Sequence, residues 1–270
     1  MAANQPSKSE LREQAKNKAA ALRAEQLKKE ARVRRITLLS IILGLILVAA
    51  LIAVVVVNGN KKNTVSADAA GPTVATGVNG GIPFGKDGIA GTTNEGAINV
   101  EVYADFLCPW CGKFEETNNP TLNEYREAGK ITVVIHPLSM LSRGSKTAYS
   151  SRSAGAFAYV AQNEPDKALA FNQTLYDNQP DESGSGLTDD EIVDLAKQAG
   201  VSDTVAAASV GGEFIDWTIN NYTRATQNTV AAGEDGSFST PTIIINNTKY
   251  AGSPTDADAF KAALDAAVGS

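Results

Sequence analysis

Residues 36–57 (ITLLSIILGLILVAALIAVVVV) form a run of 22 positions without a charge. Wound as a helix at about 1.5 Å per residue, the run is about 33 Å long, which matches a bilayer hydrocarbon core of about 30 Å. A buried core helix would be shorter and would keep a polar face. A cleaved signal peptide would place an apolar region of about 7 to 15 residues behind a short basic start, whereas 35 residues precede this longer run. Ala67 to Ala69 has the Ala-x-Ala form of a cleavage site, but Asn58 to Asn63 (NGNKKN) separates it from the apolar end. The run therefore reads as a single uncleaved transmembrane helix.

This bar divides the chain into parts of opposite charge. Residues 1–35 hold 10 Lys and Arg against 4 Asp and Glu, and residues 58–270 hold 14 against 26, so the overall net charge of -6 describes neither part. An acidic C-terminal part excludes nonspecific nucleic-acid binding, which needs clustered cations. Arg32, Arg34 and Arg35 stand immediately before the run, backed by Lys28 and Lys29, and only Lys61 and Lys62 answer beyond it. The positive-inside bias puts residues 1–35 in the cytoplasm, with the remainder past Asn58 outside a bacterial cytoplasmic membrane. Residues 8–34 favour helix without a sustained heptad, and read as a solvated basic segment beside the inner leaflet.

Residues 58–96 are rich in Gly, Asn, Thr and Ala and read as a flexible linker with one short edge strand around Ile82 to Phe84. The folded domain is expected over 97–270. Ile98 to Ala104 alternates and is rich in Val, Ile and Tyr, a strand signal. A helix follows, interrupted or kinked at Pro120 and stopped at Gly129, and then Ile131 to Ile135 reads as a buried strand. Over about 140–233 the pattern turns helical, with segments at Lys146 to Gln162, Asp166 to Asp177, Asp189 to Gln198 and Glu213 to Ala232. Thr188 and Glu191 have the spacing of a capping box. Pro241 to Asn246 and Thr248 to Ala251 read as a hairpin turned at Asn246-Asn247, and Asp256 to Val268 as a terminal helix. No internal repeat occurs at a period of 20 to 50 residues.

The chain has two cysteines, in Cys108-Pro109-Trp110-Cys111, which excludes a disulfide-rich scaffold. A Cys-x-x-Cys can be half a zinc site, a structural disulfide or a redox dithiol. Zinc needs four ligands, and beyond the pair the chain offers no cysteine and only His136, so no metal is expected. A structural disulfide closing so small a loop would constrain little of the unfolded chain. Redox chemistry remains. It requires one ionised sulfur, which the start of a helix provides for Cys108 through free N–H groups and the helix dipole. It also requires a second sulfur nearby, supplied by Cys111 one turn on. Pro109 suits the first helical turn, where its missing N–H costs nothing. Trp110 reads either as a packing aromatic or as a substrate contact. Pro241, in Ser239-Thr240-Pro241-Thr242, stands at the start of an apolar strand, where proline is tolerated.

The strand leading into Asp105-Phe106-Leu107-Cys108-Pro109-Trp110-Cys111, then Phe114-Glu115-Glu116, a helical insertion, and Thr240-Pro241-Thr242 before a hairpin and helix resembles the thioredoxin fold in its DsbA-like form. The match covers about residues 97–268. The resemblance implies an α/β thioredoxin-like fold with a large helical insertion, here preceded by one transmembrane helix. It implies that Cys108 is the nucleophile, Cys111 the resolving cysteine, and Pro241 a cis proline against the pair, with the Thr240 backbone receiving an extended substrate peptide. Glu115 and His136 occupy places where DsbA-like proteins can carry Glu and His, and with Pro109 they are candidate modulators; for His136 a structural role is the preferred reading. One departure is plain. Where some DsbA proteins bury a Glu faced by a Lys, this chain has Val102 and Val134, so proton handling at Cys111 falls to other groups, Glu115 first among them.

The function expected is an anchored extracytoplasmic thiol:disulfide oxidoreductase that introduces disulfides into exported proteins. Its redox group is the Cys108–Cys111 disulfide, with no separate cofactor, and a membrane redox partner would reoxidise it. A reductase, an isomerase, or a noncatalytic envelope-binding module are the alternatives. Disulfides persist outside the cytoplasm, which fits the expected orientation.

Overall fold

The computed structural model describes residues 69–142, 144–233 and 236–269, all within a compact unit spanning Val65–Ser270. The transmembrane run at 36–57 and the basic segment at 1–35 lie outside the described residues. Among the described residues no helix is long and apolar enough to cross a membrane.

Five strands make one mixed sheet. In chain order they are β1 (Ile82–Phe84), β2 (Ile98–Ala104), β3 (Ile131–Pro137), β4 (Thr242–Ile245) and β5 (Thr248–Lys249), with spatial order β1-β3-β2-β4-β5. β2 and β3 are parallel, with Val100 opposite Val133 and Tyr103 opposite His136; the other pairs are antiparallel. The parallel pair is joined by α1 (Pro109–Glu127), the crossover such a pair requires. Between β3 and β4 lie six helices: α2 (Tyr149–Asn163), α3 (Ala168–Asp177), α4 (Asp189–Gln198), α5 (Asp203–Ser209), α6 (Ile215–Gln227) and α7 (Thr229–Ala232). α8 (Ala257–Val268) closes the chain.

Strand alternation decides which face each side chain joins. Val100, Val102 and Ala104 of β2, with Val133 and Ile135 of β3 and Ile243 and Ile245 of β4, pack in one cluster with Phe114 and Leu122 of α1 and Phe260 and Leu264 of α8. Phe157, Phe171, Leu175, Ile192 and Trp217 of the insertion belong to the same cluster. Side chains of this kind contribute about 1.5–3 kcal/mol each when fully buried. Tyr103 and Ile244 face the other way, in a smaller cluster with Leu138, Ala225 and Ala231.

Several local expectations are met by specific bonds. Thr188 Oγ1 accepts from Glu191 N, and Glu191 Oε2 accepts from Thr188 N at 2.7 Å, closing the capping box of α4. Gly129, at φ +72°, ends α1 as Lys130 N bonds Tyr125 O at 2.9 Å. Asn246 and Asn247, at φ +48° and +61°, turn the hairpin.

Other expectations are corrected. α1 is not interrupted at Pro120: it runs continuously through it, with Phe114 and Asn118 buried before it and Leu122 and Tyr125 after it. The segment expected at Glu213 to Ala232 is two helices, broken at Asn228, whose Oδ1 caps α7 by accepting from Val230 N and Ala231 N. α5 was not anticipated: its Val-Ala-Ala-Ala carries little apolar periodicity, and it starts on the Ser202 cap. Within the linker expected over 58–96, the described residues 69–96 include packed structure. Ile82, Pro83 and Phe84 are buried in β1, Gly71 lies against the Trp217 ring, and Asn94 Nδ2 donates to Arg126 O and Ile131 O. Several of its described glycines, Gly80, Gly88, Gly91 and Gly96, take positive φ, as Gly91 does at +85°, so a glycine-rich composition is compatible with ordered structure.

Candidate functional site

β2 delivers the chain through Asp105-Phe106-Leu107 to Cys108, which is the N-cap of α1 with Pro109 in its first turn. The loop is set by Asp105. Its fully buried carboxylate accepts from Leu107 N and Leu141 N, both at 2.9 Å, and from Ser150 Oγ at 2.6 Å. These bonds join the cysteine loop, the segment after β3 and α2. Burial raises the Asp105 pKa, against the lowering effect of the donors.

Cys108 and Cys111 are free thiols, 5% and 1% exposed. The Thr240–Pro241 peptide is cis, and the Cys108 thiol donates to the Thr240 carbonyl at 3.3 Å, so the start of β4 lies against Cys108. The two sulfurs are strongly differentiated. The Cys111 side chain donates to a Cys108 thiolate and is the main reason its pKa falls to about 6; burial opposes this, while Thr240 and the N–H groups of Cys111 and Trp110 reinforce it. Cys111 moves well above the ordinary thiol range, first through burial and then through its bond to Cys108. At neutral pH one sulfur is therefore a thiolate and the other keeps its proton.

Trp110 is 53% exposed beside the pair, and Lys113 Nζ stands 4.7 Å from its ring centroid. This places a cation near the motif that its four residues do not contain. Glu115 is buried behind Cys111 and accepts from Asn172 Nδ2 at 2.8 Å. Burial pushes its pKa up to about 7. Glu115 and Cys111 line one narrow pocket of about 30 Å³, together with Val102, Asn172 and Tyr176, which has room for a water molecule or two. The aliphatic Val102 thus faces the space that Glu115 enters from the helix side.

His136 is elsewhere. It stacks on Tyr103 at 3.9 Å between ring centroids, on the sheet face opposite Cys111, with Nε2 3.2 Å from Glu101 Oε2. Burial lowers its pKa, favouring neutral imidazole. The structure gathers Cys108, Pro109, Trp110, Cys111, Glu115, Thr240 and Pro241, and leaves His136 out. Among the described residues no group of His, Cys, Asp and Glu could hold a metal ion.

Sequence reasoning quoted Asp105 without giving it a role, although an Asp between strand and helix is a turn-building signal. It missed Asn172 and Gln179, which arrive from α3 and the residues just beyond it and leave no local mark near the cysteines.

A family model described as thioredoxin matches residues 91–266. The chain belongs to this thioredoxin family. Among solved structures, this thioredoxin-family chain is similar to a reduced disulfide bond oxidoreductase (DsbG) from Mycobacterium tuberculosis, at 27% identity and TM-score 0.57, covering 72% of this chain and 90% of that one. It is similar to oxidised DsbA of Mycobacterium tuberculosis, at 27% identity and TM-score 0.58, over 70% and 93% of the two chains. BdbD of Bacillus subtilis, at 18% identity and TM-score 0.58 over 75% and 98%, shares the fold. No curated protein matches the chain.

Proposed function

We propose that the chain, a thiol:disulfide oxidoreductase of the DsbA type, works as an oxidase that gives its Cys108–Cys111 disulfide to exported proteins. The observation that carries this is the Cys108 thiolate, held by donors at the start of α1 with a pKa of about 6. Above that pH a stabilised thiolate lowers the free energy of the dithiol relative to the disulfide, so the disulfide is readily given away.

A substrate thiolate attacks Cys108 Sγ of the oxidised pair. The Cys108–Cys111 bond breaks, Cys111 leaves with the bonding electrons and takes up a proton, and a mixed disulfide forms. A second substrate thiolate then attacks the substrate sulfur of that bond and releases Cys108 as thiolate. Two electrons pass from substrate to protein, and no separate cofactor is needed. Glu115, sharing the pocket with Cys111 and poised near pH 7, is the group we assign to that proton. Thr240 and Pro241 flank the attacked sulfur, and the exposed Trp110 offers an apolar surface to the incoming segment.

In this reading residues 36–57 anchor the protein in a bacterial cytoplasmic membrane with its N-terminus in the cytoplasm, and a membrane redox partner restores the disulfide. The deciding experiment equilibrates residues 63–270 with glutathione buffers. The expected potential lies above thioredoxin's approximately -270 mV, toward DsbA's approximately -120 mV. A value at or below that of thioredoxin would make the protein a reductase, and a pair that responds to no buffer would make it a binding module.

A further inference from the structure

Gln179 lies two residues beyond α3 and reaches back to the cysteine loop. Its Nε2 donates to the Phe106 carbonyl at 2.9 Å and to the Cys108 carbonyl at 3.0 Å, one N–H for each. Gly112, in the first turn of α1, gives it room: a Cβ there would stand 2.5 Å from Gln179 Oε1. Glycine inside a helix costs about 1 kcal/mol relative to alanine, and the space it leaves here is filled by Gln179.

We propose that Gln179 is a positioning residue for the Cys108 thiolate, acting through the backbone on both sides of that cysteine. The inference rests on the oxidoreductase reading above. The two carbonyls it holds bracket Cys108, whose extended backbone (φ -76°, ψ 115°) aims the sulfur across the helix start. The Cys108 carbonyl also accepts from Cys111 N at 3.0 Å and Gly112 N at 3.2 Å, so Gln179 completes a set of donors fixing the first turn. With that turn fixed, the N–H groups of Trp110 and Cys111 stay directed at the sulfur. The same amide hydrogens offset the negative ends of two carbonyls beside a developing negative charge. The helical insertion thereby takes part in tuning the thiolate, through a residue 71 positions from Cys108.

The test uses the full chain in detergent, reduced, with Cys108 alkylation by iodoacetamide followed against pH by peptide mass spectrometry. Gln179→Met keeps the length and removes the donors; Gln179→Glu replaces them with acceptors. For both, the alkylation midpoint should rise by about one pH unit, a tenfold loss of thiolate below the midpoint, and the reduction potential should become more reducing. Gly112→Ala should produce the same direction of shift with Gln179 intact, and it decides the matter if the Gln179 variants do not fold. Folded variants with the wild-type midpoint and potential would overturn the proposal alone. A wild-type midpoint in the ordinary thiol range would overturn the oxidase reading and this inference together.

Discussion

Cys108 and Cys111 are the same residue type three positions apart, and their surroundings separate them chemically. In the proposed cycle the sulfur at the helix start is the one attacked, and its enclosed neighbour leaves and takes up the proton. Cys111→Ala should accumulate mixed disulfides with exported proteins, visible as thiol-sensitive bands on nonreducing gels, and Cys108→Ala should accumulate none; equal trapping by both would reverse the assignment. Glu115 makes a different prediction, because its folded pKa of about 7 lies above that of an exposed carboxyl near 4.5. The folded state therefore holds its proton more tightly than the unfolded chain, and the contribution to stability is complete below about pH 4.5 and lost as pH rises through 7. Glu115→Gln should gain up to about 3 kcal/mol relative to the wild type at pH 8 and little at pH 4, measured by urea unfolding. The same variant should form mixed disulfides from its oxidised state on the order of tenfold to a hundredfold more slowly, without an inflection near pH 7. A wild-type profile in the variant would release Glu115 from the proton.

Among the elements, the insertion shows where sequence patterns suffice and where they stop. The start of α4 is legible because Thr188 and Glu191 satisfy orphan N–H groups within four residues of chain. Thr188→Ala should cost about 1 kcal/mol of stability and leave the reduction potential unchanged, as seen by urea titration and glutathione equilibration of the same sample. β2 and the Asn246-Asn247 turn are legible for the same reason, since alternation and left-handed backbone are written locally. An interruption at Pro120 does not occur because the force that keeps α1 whole comes from partners such as Phe260, which packs edge-on against Phe114 from the far end of the chain. The cysteine site divides along the same line. Cys108, Cys111 and Pro241 could be placed from sequence, Glu115 was visible only through resemblance, and Gln179 and Asn172 needed the fold to bring α3 beside α1. His136 entered the candidates only through resemblance, with a structural role preferred, and strand parity sends it to the other face with Tyr103.

For the whole molecule, protease added to intact spheroplasts should remove residues beyond Asn58 and spare the basic segment before Ile36; protection of the C-terminal part in sealed cells would invert the topology. The unit from Val65 onward should unfold in one transition, because a single buried cluster runs from the sheet through α2, α3 and α4. Helical signal and tryptophan emission should fall together in urea, and separate midpoints would mean that the insertion melts alone. Cys111 lies inside that cluster at 1% exposure. In a Cys108→Ala background it would be the sole thiol, and a small alkylating reagent could mark it only while the fold stood open. The rate of marking would then count openings under native conditions, so the sulfur that completes the chemistry also serves as a clock for the molecule's excursions from its folded state.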